Sequence, residues 1–179
     1  MHTTSRNALA PLFVLAASLL AAPAAAQEKH HLSFQGMPEN TKYVQQHVVD
    51  VDDAPMHQVR IFEIRRTYPK GGAAFDGVNV VEDWSRGYSD YTGGSGRNWG
   101  YQTWTLESGD KVFGRWEATS HKRSTGEGGT NASGISVVTL VGGTGRFAKI
   151  RGTLFGSFSF DAARGINATK TEGDYWVEP

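Results

Sequence analysis

The sequence predicts an all-β protein, a single eight-stranded antiparallel β-barrel. Three observations carry that prediction. Runs rich in Val, Ile, Thr, Phe, Tyr and Trp recur at short, regular intervals, the pattern of a sandwich or barrel. Glycine clusters with Ser, Asn, Asp or Pro separate the runs, and these residues supply the positive φ that tight hairpins require. Beyond residue 27, no apolar set holds a helical period for more than a turn or two.

Taken in order, residues 1–26 read as a signal peptide. Arg6 gives the positive start, Leu12 to Ala22 the apolar stretch, and Ala24-Ala25-Ala26 the small-residue cleavage site before Gln27. The apolar stretch is shorter than the roughly 20 residues of a spanning helix. The expected location is therefore periplasmic or secreted, with no membrane insertion after cleavage. Residues 27–41 are polar and irregular, and are expected to form a mobile N-terminal arm or an edge cover. Residues 42–179 are expected to form the barrel domain, with strands at 42–51, 57–68, 77–91, 97–106, 111–121, 134–141, 147–160 and 166–177. Pro69-Lys-Gly-Gly, Thr92-Gly-Gly-Ser-Gly, Ser108-Gly-Asp, Gly126-Glu-Gly-Gly and Gly142-Gly-Thr-Gly supply the turns. In 147–160 the alternation places Ile150, Leu154, Phe158 and Phe160 on one face with Gly152 and Gly156. In 111–121, Val112, Gly114, Trp116 and Ala118 share a face, opposite Lys111, Arg115 and Glu117. Strands 57–68 and 77–91 carry apolar and charged residues on both faces, which suits a barrel packed against another subunit, a homo-oligomer such as a dimer or trimer.

Composition narrows the chemistry. The chain has no cysteine, which excludes disulfides, thiolate metal sites and a cysteine nucleophile. Lys and Arg number 18 and Asp and Glu 18, with no basic stripe, which argues against a nucleic-acid partner. The histidines after residue 27 (30, 31, 47, 57 and 121) show no metal spacing. The segment Gly156-Ser-Phe-Ser lacks the final glycine of a nucleophile elbow. No Gly-Lys-Ser/Thr follows the Gly142 loop, so it is a hairpin corner and not a phosphate cradle. Trp84, Trp99, Tyr101, Trp104, Trp116 and Trp176 form an aromatic surplus. Such rings either fill a barrel core or wall a pocket for a flat ligand. Trp104 and Trp116, each on the more apolar face of its strand, are the stronger pocket candidates.

The segment Val137-Val-Thr-Leu-Val-Gly-Gly-Thr-Gly-Arg-Phe-Ala-Lys-Ile-Arg-Gly152 resembles a hairpin of the allene oxide cyclase and dirigent barrels, a calycin-like architecture. Gly109-Asp-Lys-Val-Phe-Gly-Arg-Trp-Glu117 is similar to a strand of bacterial secreted members, and Ile61-Phe-Glu-Ile64 to the first strand of plant cyclases. The resemblance implies a barrel that holds a small hydrophobic or aromatic molecule and uses no cofactor. It places Glu63 where the cyclases carry a glutamate that assists ring closure. The family's next asparagine is Arg65 here, and its pocket cysteine is absent, which argues against allene oxide cyclisation itself.

Glu63 is accordingly the candidate catalytic residue, with Arg65, Trp84, Tyr101, Trp104 and Trp116 as candidate substrate contacts. A carboxyl enclosed by an apolar wall suits general acid or base work. A carboxylate in solvent, paired with Arg65 or Arg60, is the alternative reading. The expected activity is that of an exported, cofactor-independent isomerase, cyclase or lyase acting on a small hydrophobic or phenolic molecule. The alternatives are a dirigent-like or other small-molecule-binding protein without bond chemistry, and a barrel filled by its own side chains.

Overall fold

The structure, a computed structural model, describes residues 27–123, 131–161 and 166–179. The signal peptide and the Gly126-Glu-Gly-Gly turn expected from the sequence lie outside these residues. The described strands are β1 (His30–Gly36), β2 (Thr41–Asp50), β3 (His57–Thr67), β4 (Ala74–Phe75) and β5 (Val78–Thr92). They continue with β6 (Ser95–Leu106), β7 (Lys111–Arg123), β8 (Asn131–Gly143), β9 (Ile150–Asp161) and β10 (Ile166–Val177). The all-β, antiparallel prediction holds, with ten strands in place of eight. One addition, β4, is a two-residue pairing with β5. The other, β1, lies in the stretch expected to be a mobile arm or an edge cover, and it pairs along β10. Leu32 and Phe34 alternate with polar neighbours and are buried, at 3% and 6% exposure, so period two operates inside a segment whose composition reads as loop.

The main sheet runs β1-β10-β9-β8-β7-β6-β5-β3-β2. Its ends, β1 and β2, are joined through the one-turn 3-10 segment Pro38–Asn40. The first half of this N-terminal stretch therefore pairs with β10, from His30–Tyr175 to Gly36–Thr169, and the second half with β3. The chain passes from one margin of the sheet to the other, and side chains finish the closure. Arg66 Nη2 on β3 donates to Asn167 Oδ1 on β10 at 3.3 Å, and Asn167 Nδ2 donates to the Tyr43 hydroxyl on β2 at 2.9 Å. The rolled sheet thus encloses an interior without a complete ring of backbone hydrogen bonds.

One end of that interior is solid. Phe75, Val80, Leu106, Val112, Phe147 and Ile150 are all 1% exposed or less. Burial of each such large side chain contributes about 1.5–3 kcal/mol. The Gly142 corner caps this end much as the sequence predicts. Lys111 N donates to Thr144 Oγ1 and Thr144 N to the Lys111 carbonyl, each at 2.8 Å. Gly145 adopts φ +53°, which favours glycine, and a Cβ there would lie 2.1 Å from Asp110 Oδ1, so that carboxylate would have to swing aside. Above this plug the interior opens.

Candidate functional site

Strand parity decides which residues of β3 enter the barrel. Arg60, Phe62, Ile64 and Arg66 point inward, and Ile61, Glu63 and Arg65 point outward. The expectation that Glu63 enters the lumen is therefore corrected. Its Oε1 accepts from Arg86 Nε at 2.6 Å and its Oε2 from Gln45 Nε2 at 3.4 Å, on the outer surface. Arg65 is outside as well, donating from Nε to Glu82 Oε2 at 2.7 Å. Trp84 joins them through Nε1 to Glu82 Oε1 at 2.9 Å, with the Arg65 and Arg86 guanidinium groups 5.8 and 5.0 Å from its ring centre. Tyr101 is 58% exposed beside Arg115. Glu63, Arg65 and Trp84 lie on β3 and β5, where apolar residues on both faces give two equally good parities and side-chain identity alone does not choose between them. Tyr101 is on β6 at the parity opposite to the inward Trp104, so alternation itself puts it outside.

Trp104 and Trp116 are the two candidates placed inside. Both line a cavity of about 160 Å³ that opens away from the apolar plug. An apolar cavity of about 150 Å³ accommodates a benzene ring. Phe62 stacks on Trp116, with ring centres 6.1 Å apart and planes at 30°. Gly87 on β5 and Gly100 on β6 stand beside Trp116 in the same cross-strand row. A Cβ at Gly87 would approach the indole to 2.5 Å and one at Gly100 to 2.9 Å, so the absence of side chains there makes the seat for Trp116.

Next to these rings lies a polar group that the sequence reading did not single out. Asp83 is 1% exposed and faces the cavity. Its Oδ2 accepts from the Tyr68 hydroxyl and its Oδ1 from Gln102 Nε2, each at 2.5 Å, and Arg66 Nη1 lies 3.6 Å from Oδ1. Arg66 Nη1 also donates to Ser85 Oγ at 3.1 Å, and Ser85 Oγ to Gln102 Oε1 at 2.8 Å. Desolvation by burial raises the Asp83 pKa, against the opposing effects of Arg66 and the Tyr68 and Gln102 hydrogen bonds. Burial, with the Asp83 charge beside it, also holds the Tyr68 phenol well above its ordinary value. The phenol thus stays a proton donor toward the carboxylate.

A bulge hides this arrangement from simple alternation. The β5–β6 register shifts between Val80 and Glu82, so Val80 and Asp83, three apart, both face inward. Once the bulge is allowed for, the signal is a cross-strand pair of opposite charge, because Arg66 and Asp83 stand directly opposite each other on β3 and β5.

No family model matches the chain, and no curated protein matches it in sequence. Among solved structures it is similar to the pterocarpan synthase dirigent protein GePTS1, at 15% identity over 94% of this chain and 100% of that one, with a TM-score of 0.49. It is also similar to pyocyanin demethylase, at 17% identity over 82% and 99% of the two chains and a TM-score of 0.41. A third, the pterocarpan synthase dirigent protein PsPTS1, is 16% identical over 85% and 96%, with a TM-score of 0.43.

Proposed function

We propose that the protein takes a small, largely planar organic molecule into the open half of its barrel and moves a proton on it with Asp83. The observation that supports this most is a carboxyl 1% exposed that nonetheless faces a cavity walled by Phe62, Trp104 and Trp116. A carboxyl with a raised pKa is poised both to take and to give a proton. Tyr68 and Gln102 hold its orientation, and Arg66 supports its ionised form. Isomerisation, cyclisation and lyase elimination balance in atoms and electrons with proton movement alone, so this residue set suits a cofactor-independent reaction of that kind. The walls contribute by restricting the ligand to reactive geometries. Export to the periplasm or beyond, and assembly as a dimer or trimer, belong to the same proposal. The first is tested by the intact mass of protein from the native host, the second by sedimentation.

The experiment is a screen of residues 27–179 against aromatic and fatty-acid-derived molecules by tryptophan fluorescence, followed by turnover assays on those that bind. Asp83→Asn should lower turnover by about 10²–10⁴-fold in a protein that still binds the ligand. Glu63→Gln, on the outer surface, should leave turnover unchanged. The reverse pattern would overturn the assignment of Asp83. Binding without turnover in the native protein would favour the dirigent-like reading, in which the same lumen orders a molecule and leaves its bonds alone.

A further inference from the structure

Among the described residues, the buried side-chain nitrogen or oxygen atoms without a hydrogen-bond partner are Arg60 Nε, Arg66 Nε, Trp104 Nε1 and Trp116 Nε1. All four belong to residues that line the one cavity, and all four are donors. Buried donors are nearly always satisfied in folded proteins, so a set of four around one space calls for acceptors. Trp104, Trp116 and Arg66 are themselves at least nine-tenths buried, at 2%, 9% and 7% exposure. Among the described residues, none of the buried side-chain atoms left unpaired is an acceptor.

The charge of the same wall has a definite sign. Its charged side chains are Arg60, Arg66 and Asp83. Arg66 and Asp83 neutralise each other at 3.6 Å. Arg60 donates only to the neutral Gln58, Nη2 to Oε1 at 2.9 Å, and among the described residues it forms no ion pair. One uncompensated positive charge therefore faces the cavity. A cation so placed, next to unpaired donors, favours a ligand that brings one negative charge and oxygen acceptors.

Building on the lumen reading above, we propose that the ligand is a small organic monoanion, a carboxylate or an acidic enol or phenol, with an aromatic or conjugated body. Arg60 receives its charged group, and the Phe62–Trp116 side of the lumen receives its planar body. A bare inorganic anion would leave those rings without a partner, whereas a neutral aromatic would leave Arg60 without one. The Asp83–Tyr68 pair then stands beside the body of the ligand and not at its charged end, because Asp83 is already committed to Arg66.

The test measures affinity by calorimetry for benzoate, cinnamate and 2-naphthoate, for their primary amides, and for acetate. In the native protein at least one acid should bind about tenfold or more tightly than its amide, and acetate much more weakly than either. Arg60→Gln should erase the acid–amide difference, while Arg97→Gln on the outer surface should preserve it. The native comparison needs no variant and stands even where Arg60→Gln fails to fold. Equal affinities for acid and amide overturn the monoanion and leave the lumen as a ligand site. Acetate binding as tightly as the aromatic acids overturns the aromatic body. Failure of every probe to bind overturns the lumen reading and the monoanion together.

Discussion

Asp83 concentrates the account at the scale of single residues. Its buried contact with Arg66 means that removing either partner strands a charge, which in buried pairs costs about 3–5 kcal/mol. Arg66→Leu should lower unfolding stability by that order in urea, whereas Arg65→Leu, on the outer surface, should cost under about 1 kcal/mol. Asp83 also gives stability a pH dependence of definite sign. Its folded pKa is raised above the unfolded value, so the native state holds the proton more tightly. That contribution is fully present below the unfolded carboxylate range and is lost as pH rises through the raised value. Asp83→Asn should remove this fall, and a stability–pH curve that is unchanged in the variant would contradict the assignment. Alternation was a good guide for Trp104 and Trp116, each on the more apolar face of its strand, and both line the lumen. It failed at Glu63, Arg65 and Trp84 because β3 and β5 carry apolar side chains on both faces, and at Tyr101 because that ring shares β6 with Trp104 at the opposite parity. Asp83 escaped it because a bulge between Val80 and Glu82 resets the parity of β5.

At the scale of elements, the glycine corner and the first strand make opposite points about what a sequence displays. The corner was legible, since a Gly-Gly-Thr-Gly run between two β-branched strands has one good local solution. Gly145→Ala should destabilise by more than about 1 kcal/mol, because φ is +53° and Asp110 occupies the space, and equilibrium unfolding would measure it. The first strand was legible only as one of two readings, a mobile arm or an edge cover. Its polar composition hides two inward residues, and its partner β10 is more than a hundred residues away in the chain. Deleting residues 27–36 exposes the Leu32 and Phe34 positions and should lower the urea midpoint, where removal of a mobile arm would leave it unchanged. The β2–β3 hairpin carries its own charge device. His57 bonds Asp53 through Nδ1 and Asp90 through Nε2, the latter at 2.8 Å. Both carboxylates raise its pKa, led by the Asp53 hydrogen bond. The stabilising contribution is present below the ordinary histidine value near 6.5 and is lost as pH rises through the raised one. Asp90→Asn should lower the His57 titration midpoint as followed by proton NMR.

For the whole molecule, a sheet whose margins are bridged by its own first strands leaves one end plugged by apolar side chains and the other open around a polar, aromatic lumen. On the function proposed above, ligands enter this lumen and not the aromatic outer face. The two sides carry different tryptophans: Trp104 and Trp116 line the cavity, while Trp84 packs against outer-face arginines and Trp99 is 45% exposed, stacked on Tyr88. Indole N–H resonances report each of them separately. Titration of residues 27–179 with cinnamate in a ¹⁵N-labelled sample should shift the Trp104 and Trp116 signals in a saturable way and leave Trp84 and Trp99 in place. Movement of Trp84 or Trp99 with the two lumen signals unchanged would contradict the account.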